Sequence, residues 1–237
     1  MERLDKLIAN ASTLSRKEVH RLIKSGGVSV NGIITKDRGF CIDPDTARVC
    51  VGGRELSLQK YTYLMLNKPQ GIVSAARDDK EKTVVDLVPE QYKKKNLFPA
   101  GRLDKDTTGF ILLTDNGDFA HRILSPKNHI KKTYHARLSS LVGDDAIAAI
   151  EQGITLGDGT QCMPAEIKIL EGGETPLVEI IICEGKYHQI KRMFAASGSS
   201  VTALKRVAMG ELWLDNSLNP GECRPLTQSE LELIESK

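Results

Sequence analysis

The sequence predicts an α/β protein in which a small N-terminal module precedes a larger domain. Residues 4–34 show apolar positions at helical spacing followed by a hairpin signal. Apolar runs typical of buried strands follow at 61–66, 110–113 and 178–183. The chain has 237 residues, of which 40% are hydrophobic, and this is enough for one large domain or two unequal ones.

The basic residues are clustered along the chain. The formal net charge is only +2, but residues 1–60 contain eleven Lys and Arg against seven Asp and Glu. Residues 119–143 contain five Lys and Arg and no acidic residue. Such clusters are typical of proteins that bind a phosphate-rich partner, although a solvated basic face has the same composition.

Several classes of protein are disfavoured by the sequence. No apolar run approaches the length of a membrane span, and the N-terminal residues lack the apolar core of a signal peptide. We therefore expect no membrane partner and a cytoplasmic location. The five cysteines are scattered without a Cys-x-x-Cys pair, which predicts neither a zinc site nor a disulfide framework. We expect no metal, no cofactor and a monomer.

The N-terminal module is predicted to begin with two short helices. Leu4, Leu7 and Ile8 recur at helical spacing. Ser15-Arg16-Lys17-Glu18 is a capping box that starts the second helix, and Gly26-Gly27 ends it. One face of this helix carries a basic stripe, formed by Lys17, Arg21 and Lys24.

A hairpin follows the second helix, since Asn31-Gly32 supplies the two positive φ angles of a type I′ turn. Two helices with a basic stripe and then a hairpin resemble the S4-type RNA-binding domain over residues 2–48. The most specific parts are Arg3-Leu4-Asp5-Lys6 and Val28-x-Val30-Asn31-Gly32. The alternative is a small capping module without a ligand. We place the domains at 1–58 and 59–237.

The larger domain is predicted to alternate strands and short helices. In order, the elements are a strand at 61–66 that ends in a turn at 67–71, a strand at 110–113, a helix at 118–124, a segment like an edge strand at 131–138, a helix at 146–152, a strand at 178–183 and a helix from 188. In the last helix Ile190, Met193 and Phe194 share an inward face.

The stretch 101–115 is the strongest candidate for a functional site. It places Asp104 and Asp106 in one turn that leads directly into the apolar run 110–113. A buried strand after the turn would hold it on a rigid element, where catalytic groups are positioned best. The local alternatives are a reactive carboxylate, Asp104, beside the cationic Arg102, and a plain polar turn between two strands.

A calcium-binding loop is a third interpretation of the same stretch, because Asp104-x-Asp106-x-Thr108-Gly109 has a passable spacing. Asp115 stands where the closing Glu is expected, however, and Pro99 and Gly101 precede the turn where a helix is required. We therefore rank calcium below the other interpretations.

Three motifs of the larger domain together resemble those of the ribosomal pseudouridine synthases. They are Gly101-Arg102-Leu103-Asp104-x-Asp106-Thr107-x-Gly109, Lys132-Thr133-Tyr134 and Glu184-Gly185-Lys186-Tyr187-His188-Gln189-Ile190-Lys191-Arg192-Met193-Phe194. Met65-Leu66-Asn67-Lys68-Pro69-x-Gly71 and Gly221-Glu222-x-Arg224-Pro225-Leu226-Thr227 also match, so the resemblance spans nearly the whole chain. With the S4 module, the chain is most similar to the small-subunit (16S) rRNA pseudouridine synthase A family.

The resemblance implies a catalytic domain on a mixed, largely antiparallel sheet, and an isomerase that acts on rRNA in a partly assembled small ribosomal subunit. It implies that Asp104 is the catalytic carboxylate, that Tyr134 lies over the target base and that Lys191 faces Asp104. The candidate RNA contacts are Arg3, Arg16, Lys17, Arg21, Lys24, Lys68, Arg102, His188, Arg192 and Arg206.

Residue chemistry supports the same roles. Isomerisation of uridine breaks the N1–C1′ bond, turns the uracil and joins C5 to C1′ without redox change. A carboxylate can attack C1′ or C6, or assist loss of the C2′ proton, and then leave again. Burial opposes ionisation of Asp104, and a facing Lys191 favours it. Tyr134 offers a ring for stacking and a phenol that can relay the C5 proton, although a core tyrosine is the alternative.

Two further residues have two interpretations each. Arg102 either fills the space left by a flipped base or holds a displaced phosphate, or else it forms a structural ion pair with Asp106. His188 serves helix capping or RNA contact, since the histidines lack the spacing of metal ligands.

Two other functions stay open from the sequence. Paralogues that act on large-subunit (23S) rRNA share all the quoted motifs. A non-catalytic S4-type ribosome-assembly factor is the other alternative, and the intact set of Asp104, Tyr134 and Lys191 argues against it.

Overall fold

The computed structural model describes residues 1–12, 14–44, 46–56, 61–94 and 96–236. The chain forms two compact units, Met1–Tyr61 and Thr62–Lys237. The domain boundary that the sequence predicts between residues 58 and 59 lies outside the described residues. None of the described helices combines the length and apolar character that a membrane crossing requires.

The first unit contains two α-helices and six short strands among its described residues. In chain order they are β1 (Glu2–Arg3), α1 (Leu4–Ala11), α2 (Arg16–Lys24), β2 (Val28–Val30), β3 (Ile33–Ile34), β4 (Cys41–Ile42), β5 (Val49–Val51) and β6 (Arg54–Leu56). Leu4 and Ile8 of α1 pack with Val19 and Ile23 of α2 in a fully buried apolar core. The helical spacing of these residues therefore reflects burial, as predicted.

Two short motifs predicted in the first unit, the capping box and the Asn-Gly turn, are confirmed. Glu18 N–H donates to the Ser15 hydroxyl, and Ser15 N–H donates to the Glu18 carboxylate at 2.7 Å, which completes the capping box. Asn31 and Gly32 have φ angles of 52° and 83° and form the turn between β2 and β3. The four basic side chains of α2 are exposed: Arg16, Lys17, Arg21 and Lys24.

The second unit contains four α-helices and nine strands among its described residues. In chain order they are β7 (Tyr63–Lys68), β8 (Phe98–Ala100), β9 (Thr108–Thr114), α3 (Gly117–Leu124), β10 (Lys132–Leu138), α4 (Asp144–Gln152), β11 (Glu166–Glu171), β12 (Leu177–Ile182), α5 (Gln189–Ala196), β13 (Val201–Met209), β14 (Leu212–Trp213), β15 (Cys223–Pro225) and α6 (Gln228–Glu235).

These nine strands form one mixed sheet with the order β11-β12-β10-β13-β9-β7-β15, in which β14 also pairs with β13 and β8 with β9. Every pairing described in this sheet is antiparallel except that of β9 with β13. The prediction of an α/β fold with a largely antiparallel sheet is therefore confirmed.

Helices cover both faces of the sheet. On β9, Ile111 and Leu113 join the core that contains residues of α4 and α5. Phe110 and Leu112 join the core that contains residues of α3 and α6. Since successive side chains of a strand point to opposite faces, a strand covered on both faces is apolar throughout, and this explains the uninterrupted run after the Asp104 turn.

The prediction that 131–138 forms an edge strand is wrong. β10 lies in the interior of the sheet, between β12 and β13. Its polar side chains find partners on other strands: His135 lies 3.5 Å from Glu179 of the adjacent β12, and Arg137 pairs at 2.7 Å with Glu171 of β11, the strand beyond it. These contacts between strands allow a polar alternation in the sheet interior that in isolation is typical of an edge strand.

Strand β7 is longer than predicted. The sequence places a turn at residues 67–71, but Asn67 and Lys68 still pair with β9, opposite Phe110 and Gly109. The Asn67 amide donates to the Leu218 carbonyl at 2.8 Å, so its polar side chain is satisfied inside the fold.

The parallel contact between β9 and β13 requires a glycine. Gly109 has a φ angle of 96°, and a Cβ built there would lie 2.2 Å from the carbonyl oxygen of Arg206. A larger residue would separate the two strands. Gly109 thereby fixes the position of β9, and with it the turn that precedes the strand.

Candidate active site

The turn between β8 and β9 carries Asp104. Thr107 N–H donates to the Asp104 carbonyl at 3.1 Å and closes the turn. The Ser74 hydroxyl donates to the Leu103 carbonyl at 2.8 Å and accepts from the Leu103 N–H at 3.1 Å. Strands flank this turn on both sides, so the calcium-loop interpretation, which requires helices, is wrong.

Lys68 supports the turn from inside. Its side chain is fully buried, and its ammonium donates to the carbonyls of Lys105 at 3.2 Å and Thr107 at 2.8 Å. Burial lowers the pKa of Lys68 to about 8, although the charges of Asp106 and Asp104 oppose this shift. The expectation that Lys68 contacts RNA is corrected here, because the side chain has no exposed surface.

Lys191 lies between two carboxylates. Its Nζ is 3.1 Å from Asp104 Oδ2 and 2.6 Å from Asp106 Oδ1. Burial disfavours the ammonium, but the hydrogen bonds to Asp106 and Asp104 outweigh it and raise the pKa of Lys191 above its ordinary value. The hydrogen bond from Lys191 lowers the pKa of Asp106. Lys191 is therefore held in its charged form between the two carboxyl groups.

His188 is the residue before α5 and lies beside the same carboxylate. Its backbone is left-handed, with φ 48° and ψ 33°, and its Nε2 is 3.5 Å from Asp104 Oδ1. The side chain makes no capping hydrogen bond, so the capping interpretation of His188 is wrong. The helix N-terminus nevertheless adds positive potential near Asp104.

Tyr134 projects from β10 and lines the cleft, with 7% of the residue exposed. Its hydroxyl has no hydrogen-bond partner in the described part of the chain. The Arg206 guanidinium lies 6.0 Å from the ring centroid. Arg206 is itself buried and donates from Nε to the Phe110 carbonyl at 2.7 Å, so the expectation that it lines the RNA path is corrected.

Arg102 is exposed at the rim of the cleft and forms no ion pair with any described residue. The proposed structural pair with Asp106 is not formed, because Asp106 binds Lys191 instead. A free guanidinium two residues before Asp104 is available to a ligand.

Two other candidate RNA contacts have partners within the protein. Arg192 pairs with Asp158 at 2.5 Å. Arg3 donates two hydrogen bonds to Asp5, at 3.0 and 2.9 Å. Both pairs are partly exposed, and binding of a phosphate would compete with the carboxylate in each.

The second unit contains an open cleft around these groups. Five of the predicted site residues line it together: Arg102, Asp104, Tyr134, His188 and Lys191. The remaining predicted residues, including the four cations on α2, do not belong to its lining.

A supporting network around Glu184 is not predicted from the sequence. Glu184 is buried and accepts from Gln189 Nε2 at 2.7 Å and from Met163 N–H at 2.8 Å. Lys186 Nζ lies 3.0 Å from the same carboxylate. The sequence contains one indication of this network: Glu184 directly follows a predicted buried strand and precedes Gln189, at the start of a helix, by five positions.

A family model described as RNA pseudouridylate synthase matches residues 62–196, and the model of the S4 domain matches residues 2–46. The chain therefore belongs to the RNA pseudouridylate synthase family, with an N-terminal S4 domain, and is an enzyme of that class.

Similar proteins cover the whole chain. The chain is 47% identical, over 98% of both sequences, to "Uncharacterized RNA pseudouridine synthase YtzG" of Bacillus subtilis. It is 42% identical to ribosomal small subunit pseudouridine synthase A of Escherichia coli, over 98% of this chain and 99% of the relative. A crystal structure of a pseudouridylate synthase is 40% identical, with a TM-score of 0.67 over 99% of this chain and 100% of the other.

Proposed function

We propose that this enzyme converts a uridine of small-subunit (16S) rRNA to pseudouridine, with Asp104 as the catalytic carboxylate. The pairing of Asp104 with Lys191 in a cleft lined by Tyr134 carries the assignment of roles. The choice of rRNA follows the names of full-length relatives at 42% and 43% identity, which act on the small ribosomal subunit.

Asp104 is a better candidate than its neighbour Asp106. Both contact Lys191, but only Asp104 lines the cleft. The Asp106 side chain is 60% exposed, against 30% for Asp104. A group that attacks a bound nucleoside has to face the cleft, so Asp106 serves to hold Lys191 in place.

Lys191 has an electrostatic role. Its ammonium lies 3.1 Å from Asp104 Oδ2 and supplies a positive charge beside the carboxylate that would act as nucleophile or base. It also moderates the negative charge that Asp104 would otherwise present to the RNA phosphates.

Tyr134 would contact the target base. Its ring lines the cleft with the hydroxyl unpaired, so the ring can stack on uracil while the phenol exchanges the C5 proton late in the reaction. A target base inside folded RNA must first be extruded, at a cost of a few kcal/mol. Arg102 would occupy the vacated space or hold the displaced phosphate.

The substrate is proposed to be rRNA in a partly assembled small subunit, bound by a monomer in the cytoplasm. The exposed cations of α2 support RNA binding by the S4 domain, the unit at 1–58. The catalytic domain at 59–237 supplies the cleft.

Tritium release from rRNA labelled at uracil C5 tests the proposal. Wild type is expected to release tritium from small-subunit transcripts or particles and not from large-subunit RNA. Asp104→Asn should release none while binding RNA normally. Asp106→Asn, the matched control, should keep measurable activity because its carboxylate does not line the cleft.

Each contrary result has a distinct meaning. Release from large-subunit RNA alone would replace the proposed substrate by 23S rRNA. Release by Asp104→Asn at the wild-type rate would remove Asp104 from the chemistry. Binding without release on either RNA would favour a non-catalytic assembly factor.

A further inference from the structure

Tyr187 is an aromatic residue that lies in the chain between two residues lining the cleft, Lys186 and His188. It is 71% exposed and belongs to neither apolar core of the second unit. Its hydroxyl has no hydrogen-bond partner among the described residues. Aromatic side chains usually bury their rings or pair their polar ends, so a ring left exposed beside a reactive site indicates a ligand.

One face of the Tyr187 ring is already covered. The His188 ring stacks on it, with centroids 3.9 Å apart and planes inclined by 18°. Because the residue is largely exposed and no other ring of the described residues contacts it, the opposite face is available to a ligand. A ring supported from behind in this way is a rigid platform for another flat ring.

The platform is joined to the reactive carboxylate. His188 Nε2 lies 3.5 Å from Asp104 Oδ1, while the same imidazole carries Tyr187 on its face. The left-handed backbone of His188 is uncommon for a residue with a side chain, and such conformations concentrate at functional sites. Two direct contacts thus connect Tyr187 to Asp104 through His188, so a base on Tyr187 would lie close to a nucleoside held at Asp104.

We infer that Tyr187, backed by His188, binds an unpaired nucleobase next to the target uridine. This inference rests on the proposed function, because the uridine at Asp104 defines the neighbouring position. Arg102 lines the same cleft, forms no ion pair with any described residue and can attract the connecting phosphates. Since every base has a π face, the platform contributes affinity and register and tolerates different bases.

The test uses the full chain and a short single-stranded RNA in which 2-aminopurine flanks a central uridine. Stacking quenches 2-aminopurine fluorescence. Wild type and Tyr187→Phe are expected to quench the probe, whereas Tyr187→Ala binds it at least about fivefold more weakly and loses most of the quench. Trp213→Ala is the control and should match wild type. Trp213 is also exposed, but it lies in β14, of which no residue lines the cleft, whereas Tyr187 stacks on the cleft-lining residue His188.

Tritium release from rRNA separates this inference from the proposed function. Tyr187→Ala is expected to raise KM about fivefold or more with little change in kcat. If Tyr187→Ala keeps the wild-type affinity and quench, the platform inference is wrong. A lower kcat with an unchanged quench would also contradict it, because Tyr187 would then only support His188. If wild type quenches through Tyr187 but releases no tritium, the platform stands and the proposed reaction fails.

Discussion

The Lys191 ammonium contacts two carboxylates, and these contacts determine its protonation state. Its hydrogen bonds to Asp106 and Asp104 raise its pKa above the ordinary lysine value in spite of burial. A general acid or base works best with a pKa near the operating pH. Lys191 therefore stays protonated, and we propose that it acts on Asp104 through its charge while another group, such as Tyr134, transfers the proton.

Replacing Lys191 by methionine should lower kcat about 100-fold, a loss typical of removing one preorganised electrostatic partner. Lys191→Arg keeps the charge and should retain more activity than Lys191→Met. Tritium release measures both. Lys105→Met is the control, because the Lys105 ammonium pairs with Glu81 at 2.8 Å and does not line the cleft. Equal losses in Lys191→Met and Lys105→Met would contradict a specific role for Lys191.

At the scale of elements, Gly109 joins the parallel strands β9 and β13. Gly109→Ala should destabilise the protein by about 3 kcal/mol, because the new Cβ meets the Arg206 carbonyl and the backbone φ is positive. Gly117→Ala is the matched control: no atom lies within 4 Å of a Cβ there, and Gly117 begins α3. It should change stability by about 1 kcal/mol or less. Urea unfolding compares the two, and similar stabilities would refute the packing argument.

Asp5 connects the two helices of the first unit. Its carboxylate accepts from Arg3 and lies 2.9 Å from His20 Nε2, and the Arg3 hydrogen bond is the main reason that the pKa of Asp5 falls to about 2. The folded-state pKa lies below the unfolded one, so this stabilisation is complete above about pH 4 and disappears as the pH falls through 2.

Asp5→Asn should therefore cost about 2 kcal/mol at neutral pH and flatten the loss of stability between pH 4 and pH 2. Urea unfolding of the full chain across that pH range, followed by a probe in the first unit, measures the effect. Glu55→Gln, at an exposed acid with no ion pair among the described residues, is the control. An unchanged acid limb in Asp5→Asn would show that the carboxylate contributes nothing.

How far the sequence predicts these elements depends on where each side chain finds its partners. Local signals such as the Ser15 capping box and the Asn31-Gly32 turn predict correctly, because their partners are a few residues away. The buried positions of Lys68 and Arg206 are not predicted. Each side chain donates to a backbone carbonyl of a distant segment, and the sequence gives no reason to bring those segments together. The same holds for the interior position of β10, whose polar residues pair across strands.

At the scale of the whole molecule, the candidate chemistry and much of the candidate RNA affinity lie in different units. The described second unit contains the cleft with Asp104 and Lys191. The first unit carries the exposed cations Arg16, Lys17, Arg21 and Lys24 on α2, and none of them forms an ion pair with a described residue. Unpaired exposed cations on one helix can neutralise RNA phosphates without first losing a carboxylate partner.

Changing all four α2 cations to glutamine should weaken RNA binding strongly at low salt and reduce the slope of log Kd against log salt by up to about 3, since each phosphate contact contributes about 0.7 to 0.9. The kcat for bound RNA should change little, because the cleft is intact. Fluorescence anisotropy at several salt concentrations measures the slope. The control changes four exposed lysines of the second unit, Lys80, Lys82, Lys93 and Lys168, and so alters net charge equally. If both variants lose the same slope, total charge governs binding, and α2 has no specific role.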